Sequence, residues 1–218
     1  MSRRSLVLAI TALAVVGFAI GGFLYSRSST QQSGVAVMQE SNSLVRPHSP
    51  VLGGAKARVT IVEFFDPACE TCRALYPVVK KIMAEYPDEV RLVLRYAPFH
   101  KGSDEAVRIL ESARKQGVYI AVKEALLAAQ PEWADHHQPQ IERAWTAAAA
   151  AGLNLEAARK GMLAPEITAV LTQDMADIRT LDVRRTPTFF VNGKPLPSFG
   201  VKQLQDLVRS EVEAARKR

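Results

Sequence analysis

The two cysteines of the 218-residue chain are Cys69 and Cys72, and Glu70 and Thr71 separate them. Thiols at this spacing can carry out thiol–disulfide exchange, in which one thiolate attacks a disulfide and the second thiol resolves the mixed disulfide. The pair lies between an apolar, aromatic-rich run and a helical pattern, so Cys69 is expected at a helix N-terminus. The unsatisfied N–H groups and the positive dipole end found there stabilise a thiolate. We therefore predict a redox-active pair.

Other roles for this pair are weaker. A structural disulfide closing so short a loop would remove little entropy from the unfolded chain. A zinc site needs two further Cys or His ligands, and the four histidines (His48, His100, His136 and His137) are far away in sequence. We expect the last three to be loop residues, and we predict no metal site and no cofactor. A copper- or soft-metal-handling thiol protein stays an alternative.

A strand–helix–strand unit is predicted to position the cysteines. Residues 58–65 are β-branched and aromatic, which indicates a buried strand. From Cys69 to Tyr86, apolar residues recur every three or four positions and predict an amphipathic helix, kinked at Pro77. Pro87 and the following Asp should end this helix, and residues 90–96 form the next strand.

The remainder of the chain predicts helices followed by a hairpin. Residues 101–182 show a helical pattern, which we divide into four or five helices. Residues 188–191 indicate a strand, Asn192-Gly193 a hairpin turn and residues 194–199 a short antiparallel strand, before a last helix from Val201 to about Ala215. The fold class is therefore α/β, with one sheet interrupted by an all-helical insertion.

Thr186 and Pro187 stand at the head of the predicted strand 188–191. An X-Pro bond at that place is suited to a cis peptide. If it lies opposite the cysteines, Pro187 would leave the Thr186 backbone open to pair with an extended substrate chain. We therefore predict that these two residues bind substrate.

The N-terminus predicts export. Arg3 and Arg4 precede residues 6–25, an uncharged apolar run long enough to cross a bilayer. We interpret residues 1–5 as a cytoplasmic n-region, 6–25 as a transmembrane anchor or a signal sequence, 26–49 as a flexible linker and 50–216 as the folded domain. The expected location is the cytoplasmic membrane, with a single pass and the domain facing the periplasm or the outside.

Composition excludes one class of partner. The net charge is +6, but the Lys and Arg residues are scattered through amphipathic stretches. Because no basic block is interleaved with aromatic residues, nucleic acid is not expected as a partner. The linker has no heptads, so we predict a monomeric domain.

Three motifs together resemble the thioredoxin superfamily: Glu-Phe-Phe at 63–65, the Cys-x-x-Cys, and Thr-Pro-Thr-Phe-Phe-Val-Asn-Gly-Lys at 186–194. The stretch 50–64 is similar to the DsbA-like branch, which also carries a long helical insertion within its sheet. The resemblance covers residues 50–215. It implies a thioredoxin fold with a large all-helical insertion at 101–182, preceded here by the transmembrane helix, and a thiol–disulfide oxidoreductase.

The resemblance implies a role for each matching residue. Cys69 matches the exposed nucleophile and Cys72 the buried resolving cysteine. Glu63 matches the buried acid, whose desolvated carboxyl would have a raised pKa and relay a proton to or from Cys72. Pro187 matches the cis proline and Thr186 the residue that faces the cysteines.

Two departures from the family pattern concern the reduction potential of the cysteines and the shape of the substrate groove. Glu70 and Thr71 are neither the Pro-His of the strong oxidant nor the Gly-Pro of thioredoxin, and Arg185 replaces a frequent glycine. Glu70 and Thr71 are therefore predicted to modulate the cysteines. Since the Glu70 carboxylate opposes a thiolate that the helix terminus favours, we expect a potential more reducing than that of the strong oxidant.

The resemblance also implies partners. Exported proteins would be the substrates, through mixed disulfides. A membrane redox partner, either a quinone-linked oxidase or an electron transporter, would set the direction of electron flow. A dedicated reductant for one client, such as an apocytochrome, is an alternative with the same chemistry.

Overall fold

A computed structural model describes residues 43–217, which contain a five-stranded mixed sheet of order β1-β3-β2-β4-β5. The strands are β1 (Val51–Leu52), β2 (Val59–Phe65), β3 (Val90–Tyr96), β4 (Thr188–Val191) and β5 (Lys194–Pro195). β2 and β3 run parallel, and the other neighbouring strands are antiparallel. The sheet thus unites the two predicted halves, and the α/β fold class is confirmed.

The central strands β2 and β3 are buried on both faces, and most of their residues are apolar apart from the buried Glu63 and Arg95. Parallel strands are covered on both faces, so they tend to be continuous apolar runs. Only Thr60 and Arg91 in these two strands are not buried, and the Arg91 Nε donates a hydrogen bond to Thr60 Oγ1 (2.9 Å). Because side chains alternate along a strand, Glu63 shares the face of Ile61 and Phe65, which belong to the larger of two apolar cores.

The helix after β2 is α1 (Glu70–Glu85), with Cys69 as its N-cap and Tyr86 as its C-cap. Its inner face buries Cys72 together with Leu75, Val79 and Ile82 of the predicted apolar face. The other residues predicted for that face are only partly buried: Val78, Met83 and Tyr86. Pro77 lies inside this helix. The helix packs against β3 and so holds its first turn at the carboxyl end of β2.

The insertion contains six helices rather than the predicted four or five. They are α2 (Ser103–Lys115), α3 (Tyr119–Ala128), α4 (Gln130–Trp133), α5 (Ile141–Ala150), α6 (Leu155–Gly161) and α7 (Pro165–Thr180). The difference arises at Pro131, which we interpreted as a break. Proline is tolerated in the first helical turn, where its missing N–H costs nothing, and Pro131 instead opens the single turn α4.

The C-terminal hairpin is shorter than predicted. Asn192 and Gly193 both have positive φ (49° and 82°), as the Asn-Gly turn requires. The returning strand pairs only at Lys194 and Pro195, however, and not through residue 199. Pro195 and Pro197 lack N–H donors, so they cannot extend a ladder. The last helix, α8 (Val201–Arg216), follows the prediction to within one residue.

The predicted linker 26–49 extends too far towards the C-terminus, because its last residues, 43–49, pack against the domain. Leu44 is 3% exposed, and the Arg95 guanidinium donates to the carbonyl oxygens of Ser43 and Leu44. Arg46 makes a bidentate pair with Asp177 through contacts of 2.8 and 2.6 Å. Residues 26–42 of the linker, the n-region 1–5 and the apolar run 6–25 lie outside the described residues. No helix within 43–217 is both long and apolar enough to cross a bilayer.

Candidate active site

The turn after β2 places Cys69 at the start of α1. The Asp66 carboxylate accepts from the Ala68 N–H (2.9 Å), and the Asp66 carbonyl accepts from the Cys69 N–H (3.1 Å). Cys69 itself has extended backbone geometry, and its Sγ accepts from the N–H of Cys72 (3.4 Å). A cap that accepts N–H bonds in the first turn is stabilised further when it is anionic. The site therefore favours a thiolate at Cys69.

The two thiols are strongly unlike each other. Hydrogen bonding from the Cys72 thiol lowers the pKa of Cys69 to about 5, with smaller contributions from Thr186 and the Thr71 and Cys72 backbone, while burial opposes the shift. For Cys72, burial and then the hydrogen bond to Cys69 raise the pKa far above its usual value. Cys69 is only 5% exposed, so the exposed nucleophile that the resemblance implies is largely covered here, and Cys72 is fully buried. Cys69 is thus the nucleophile-like thiol, and Cys72 holds its proton.

Thr186 and Pro187 lie directly opposite Cys69. The Thr186–Pro187 peptide bond is cis, and the Cys69 Sγ donates to the Thr186 carbonyl oxygen at 3.3 Å. β4 begins just after Pro187 and pairs antiparallel with β2, so the residues before β4 come to the same sheet end as those after β2. The structure therefore brings together the cysteines and the two residues that the sequence singles out for substrate.

Glu63 lies in the interior beneath this pair. Its residue exposure is 3%, and burial raises the pKa of its carboxyl to about 7, with Lys123 lowering it and Cys69 raising it. The charge of Glu63 in turn contributes to the raised pKa of Cys72. A carboxyl that exchanges its proton near neutral pH beside a buried thiol can give or accept the proton of that thiol.

Sequence reasoning missed Lys123, which comes from α3 of the insertion. The residue is 1% exposed, its Nζ lies 4.0 Å from the centre of the Tyr76 ring, and burial lowers its pKa to about 8 against the opposing charge of Glu63. A signal was present in the sequence: Lys123 follows Tyr119 by four positions and precedes Leu127 by four. It therefore interrupts the apolar face of a helix with a charge.

Gln130 of α4 was also missed, since we interpreted it as punctuation between helices. Its buried side-chain Nε2 donates to the carbonyl oxygens of Pro67 (2.7 Å) and Cys69 (3.0 Å). A side chain that binds two carbonyls of one turn fixes the position of that turn. The insertion thus holds the cysteine turn in place from the side of α4.

Two histidines, His100 and His136, lie in loops as expected, and these loops are beside the first turn of α1. The His136 Nε2 is 2.9 Å from the Glu70 Oε1, and the rings of His136 and His100 are 4.8 Å apart. The His100 Nδ1 is 2.7 Å from Asp66 Oδ2. A surface pocket of about 440 Å³ adjoins this group and is lined in part by Glu70 and His136. Glu70 therefore has a histidine partner that the local sequence does not contain.

Within residues 43–217, no group of three or more His, Cys, Asp or Glu side chains has an arrangement that could hold a metal ion. The rings of His136 and His100 contact the carboxylates of Glu70 and Asp66.

Comparisons with known proteins agree with this geometry. A protein-family model described as Thioredoxin matches residues 46–210. Among solved structures, a thioredoxin-like oxidoreductase from Silicibacter pomeroyi DSS-3 is 35% identical, with a TM-score of 0.68 over 81% of this chain and 98% of that one. BdbD from Bacillus subtilis is 22% identical, with a TM-score of 0.67 over 76% and 93% of the two chains. A periplasmic thioredoxin-like protein from Salmonella enterica serovar Typhimurium is 23% identical, with a TM-score of 0.64 over 80% and 97%.

Similar curated proteins include Na⁺/H⁺ antiporters. NhaA 1 of Mycobacterium sp. strain KMS is 29% identical over 163 residues, which are 70% of this chain and 25% of the antiporter. NhaA of Herminiimonas arsenicoxydans is 26% identical over 179 residues, which are 80% and 28%. The chain thus spans about a quarter of the length of these relatives, and the likeness gives no ground for transport by this chain.

Proposed function

The chain belongs to the thioredoxin family as a DsbA-like thiol–disulfide oxidoreductase, and from this premise we propose that it exchanges disulfides with exported proteins through Cys69 and Cys72. The observation that carries the proposal is the meeting of Cys69 with Thr186, where the thiol lies 3.3 Å from a backbone carbonyl. A client chain lying along Thr186 and Pro187 would have its sulfur next to the Cys69 Sγ. Proximity of this kind is what a thiolate attack requires.

The exchange balances in two steps. When the pair is oxidised, a client thiolate attacks the Cys69 Sγ, the Cys69–Cys72 bond breaks, and Cys72 leaves as a thiolate that takes up a proton. A second client thiolate then attacks the client sulfur of the mixed disulfide, and Cys69 leaves as a thiolate. The client loses two electrons and the cysteine pair gains them, and the reverse sequence reduces a client disulfide.

Glu63 supplies and receives the proton of Cys72 in this scheme. The Cys72 thiol has a strongly raised pKa, so its thiolate is a poor species to leave unprotonated in the interior. Glu63, with a pKa of about 7, holds a proton part of the time at neutral pH. Thr71 acts on Cys69 instead, through its backbone N–H, and in this proposal the Glu70 carboxylate opposes the Cys69 thiolate through its charge.

The place of action in this proposal is the membrane surface on the exported side. The apolar run 6–25 after Arg3 and Arg4 supports a single-pass anchor or an export signal, and the similar Salmonella enterica protein is described as periplasmic. A tether raises the effective concentration of the domain near a membrane redox partner. That partner, a quinone-linked oxidase or an electron transporter, would decide the direction of electron flow, and the catalytic domain acts as a monomer.

Trapping clients tests the proposal. In the full-length chain, Cys72→Ser removes the resolving thiol, so Cys69 should accumulate mixed disulfides with exported proteins that disappear on reduction. The matched control Cys69→Ser keeps one cysteine and should trap nothing. Equal adducts in both variants, or none in Cys72→Ser while the wild type shows no exchange activity, would overturn the proposed function.

A further inference from the structure

The loop between α4 and α5 reaches the first turn of α1 through one charged contact, His136 Nε2 to Glu70 Oε1 at 2.9 Å. We propose that His136 is a positioning residue for disulfide exchange, which offsets the charge of Glu70 beside Cys69 and so favours the Cys69 thiolate. This inference rests on the proposed function. It means that a residue of the helical insertion, and not only Glu70 and Thr71 between the cysteines, affects the pKa of Cys69.

The charge argument begins at Glu70. Its carboxylate is next in sequence to the thiolate-forming Cys69, and two negative groups that close together oppose each other. An imidazole that donates to the carboxylate withdraws part of this charge, and an imidazolium cancels it. The helix N-terminus then stabilises the Cys69 thiolate without opposition from the charge of Glu70.

His136 is held where it can act. Its ring stacks at 4.8 Å and 38° against that of His100, whose Nδ1 contacts Asp66 at 2.7 Å. The Asp66 carboxylate is fixed in turn by the N–H groups of Phe99 and His100 and by the Ser103 hydroxyl. The contact with Glu70 is thus the outer end of a chain of interactions that begins in the turn before Cys69.

Few other charges face His136. Glu70 and Arg73 come from α1, and Asp135 and His137 come from its own loop. His100 comes from the connection after β3 and is in contact with Asp66. The Asp135 carboxylate accepts from the N–H groups of His137 and Gln138. Glu70 is therefore the acid in contact with the His136 ring.

The effect should be modest, because the side chains of Glu70 and His136 are 57% and 47% exposed and water screens the pair. In His136→Ala we expect the thiolate-to-thiol ratio of Cys69 to fall about two- to five-fold, which raises its pKa by about 0.3 to 0.7 unit. At pH 7, well above the pKa of Cys69, the same factor should lower the reduction potential by about 10 to 20 mV, since tenfold corresponds to about 30 mV.

The experiment measures thiolate absorbance at 240 nm across pH, and the equilibrium with glutathione at pH 7, on the full chain. His136→Lys, which supplies a permanent positive charge beside Glu70, should restore the low thiol pKa. His137→Ala, the neighbour on the same loop, should leave the Cys69 titration unchanged. Glu70→Gln should shift the Cys69 pKa in the direction opposite to His136→Ala.

Each result decides the inference. An unchanged titration in His136→Ala, an equal shift in His137→Ala, or no rescue by His136→Lys would each overturn the role of His136. In all three cases an active wild type would leave the proposed function standing. A wild type without exchange activity would instead remove the proposed function itself, whatever the histidine variants show.

Discussion

The Cys69 Sγ lies 3.3 Å from the carbonyl oxygen of Thr186, although 117 positions separate the two residues in the chain. They meet because β2 and β4 are antiparallel neighbours, so the residues after one strand face the residues before the other. The helical insertion lies between them in sequence but not in space. The same contact places the thiol beside the backbone that we propose for client binding.

Thr186→Val tests a second interaction between these two residues, which involves the Thr186 side chain. The Thr186 side chain contributes a hydrogen bond that lowers the pKa of Cys69, and valine has a similar shape without the hydroxyl. We expect the pKa of Cys69 to rise by about 0.5 to 1 unit, which corresponds to a net hydrogen bond of about 1 kcal/mol. Absorbance at 240 nm measures it. Thr188→Val, whose hydroxyl bonds to the Arg185 carbonyl, is the matched control, and equal titrations in the two variants would refute the role of Thr186.

Glu63 should make the reduced protein less stable as the pH rises. Its folded-state pKa is about 7 because of burial, against an ordinary value of 4.5, so the folded state binds more protons than the unfolded state between these values. Stability therefore falls as the pH rises through this window. We expect this group to cost about 2 kcal/mol between pH 5 and 7, and Glu63→Gln should abolish that loss.

Urea unfolding of the reduced protein at pH 5 and 7 measures this effect. Glu124→Gln changes an acid that is largely exposed and should keep the pH dependence of the wild type. If Glu63→Gln and the wild type lose the same stability between the two pH values, Glu63 does not carry the buried titration. Disulfide exchange by Glu63→Gln should also slow, because the proton of Cys72 loses its nearby carrier.

Lys123→Met tests whether a positive charge from the insertion lowers the pKa of Glu63 beneath the cysteines. Lys123 lowers the pKa of Glu63 by attraction, and methionine keeps the apolar length without the charge. We expect the pKa of Glu63 to rise above about 7, which carbon NMR of the carboxyl measures directly. Lys80→Met removes a largely exposed lysine near the same Tyr76 ring and should leave Glu63 unmoved. An unchanged or lowered pKa of Glu63 in Lys123→Met would rule out the attraction between Lys123 and Glu63.

How far the sequence predicts this site depends on distance along the chain. The cysteines, Glu63 and α1 belong to one local strand–helix unit, and its apolar spacing predicts their placement. Thr186 and Pro187 are distant, and their motif at the head of a strand was enough to predict them. Both signals are properties of short segments with characteristic turn and strand chemistry.

Lys123 and His136 show where sequence reasoning ends. Both reach the site from the insertion, and the packing of its helices decides which side chains point at α1. The linker prediction for residues 43–49 was wrong for a related reason. Their polar composition is typical of a linker, but the buried Arg95 donates hydrogen bonds to the carbonyl oxygens of Ser43 and Leu44. A charge on an apolar helical face marks Lys123 as unusual, but the local pattern does not show which partner the tertiary structure brings to it.

Arg46→Ala tests the attachment of this N-terminal segment. Arg46 makes two hydrogen bonds to the buried Asp177, and removing it leaves that carboxylate with fewer donors. We expect a loss of about 1 to 2 kcal/mol in the free energy of unfolding, measured in urea at neutral pH. Arg184→Ala breaks an ion pair whose side chains are 81% and 72% exposed and should cost far less. Comparable losses in both variants would show that residues 43–49 contribute no more than a surface pair.

The most direct test of the central claim is the pH profile of alkylation of the reduced wild type, with the modified residue identified by mass spectrometry. The account predicts that Cys69 alone reacts, with a rate that rises to a plateau around a midpoint near pH 5, in line with its lowered pKa, while Cys72 stays unmodified in the folded protein. Reaction at Cys72 first, or a Cys69 midpoint near the ordinary thiol value of about 8.5, would contradict it.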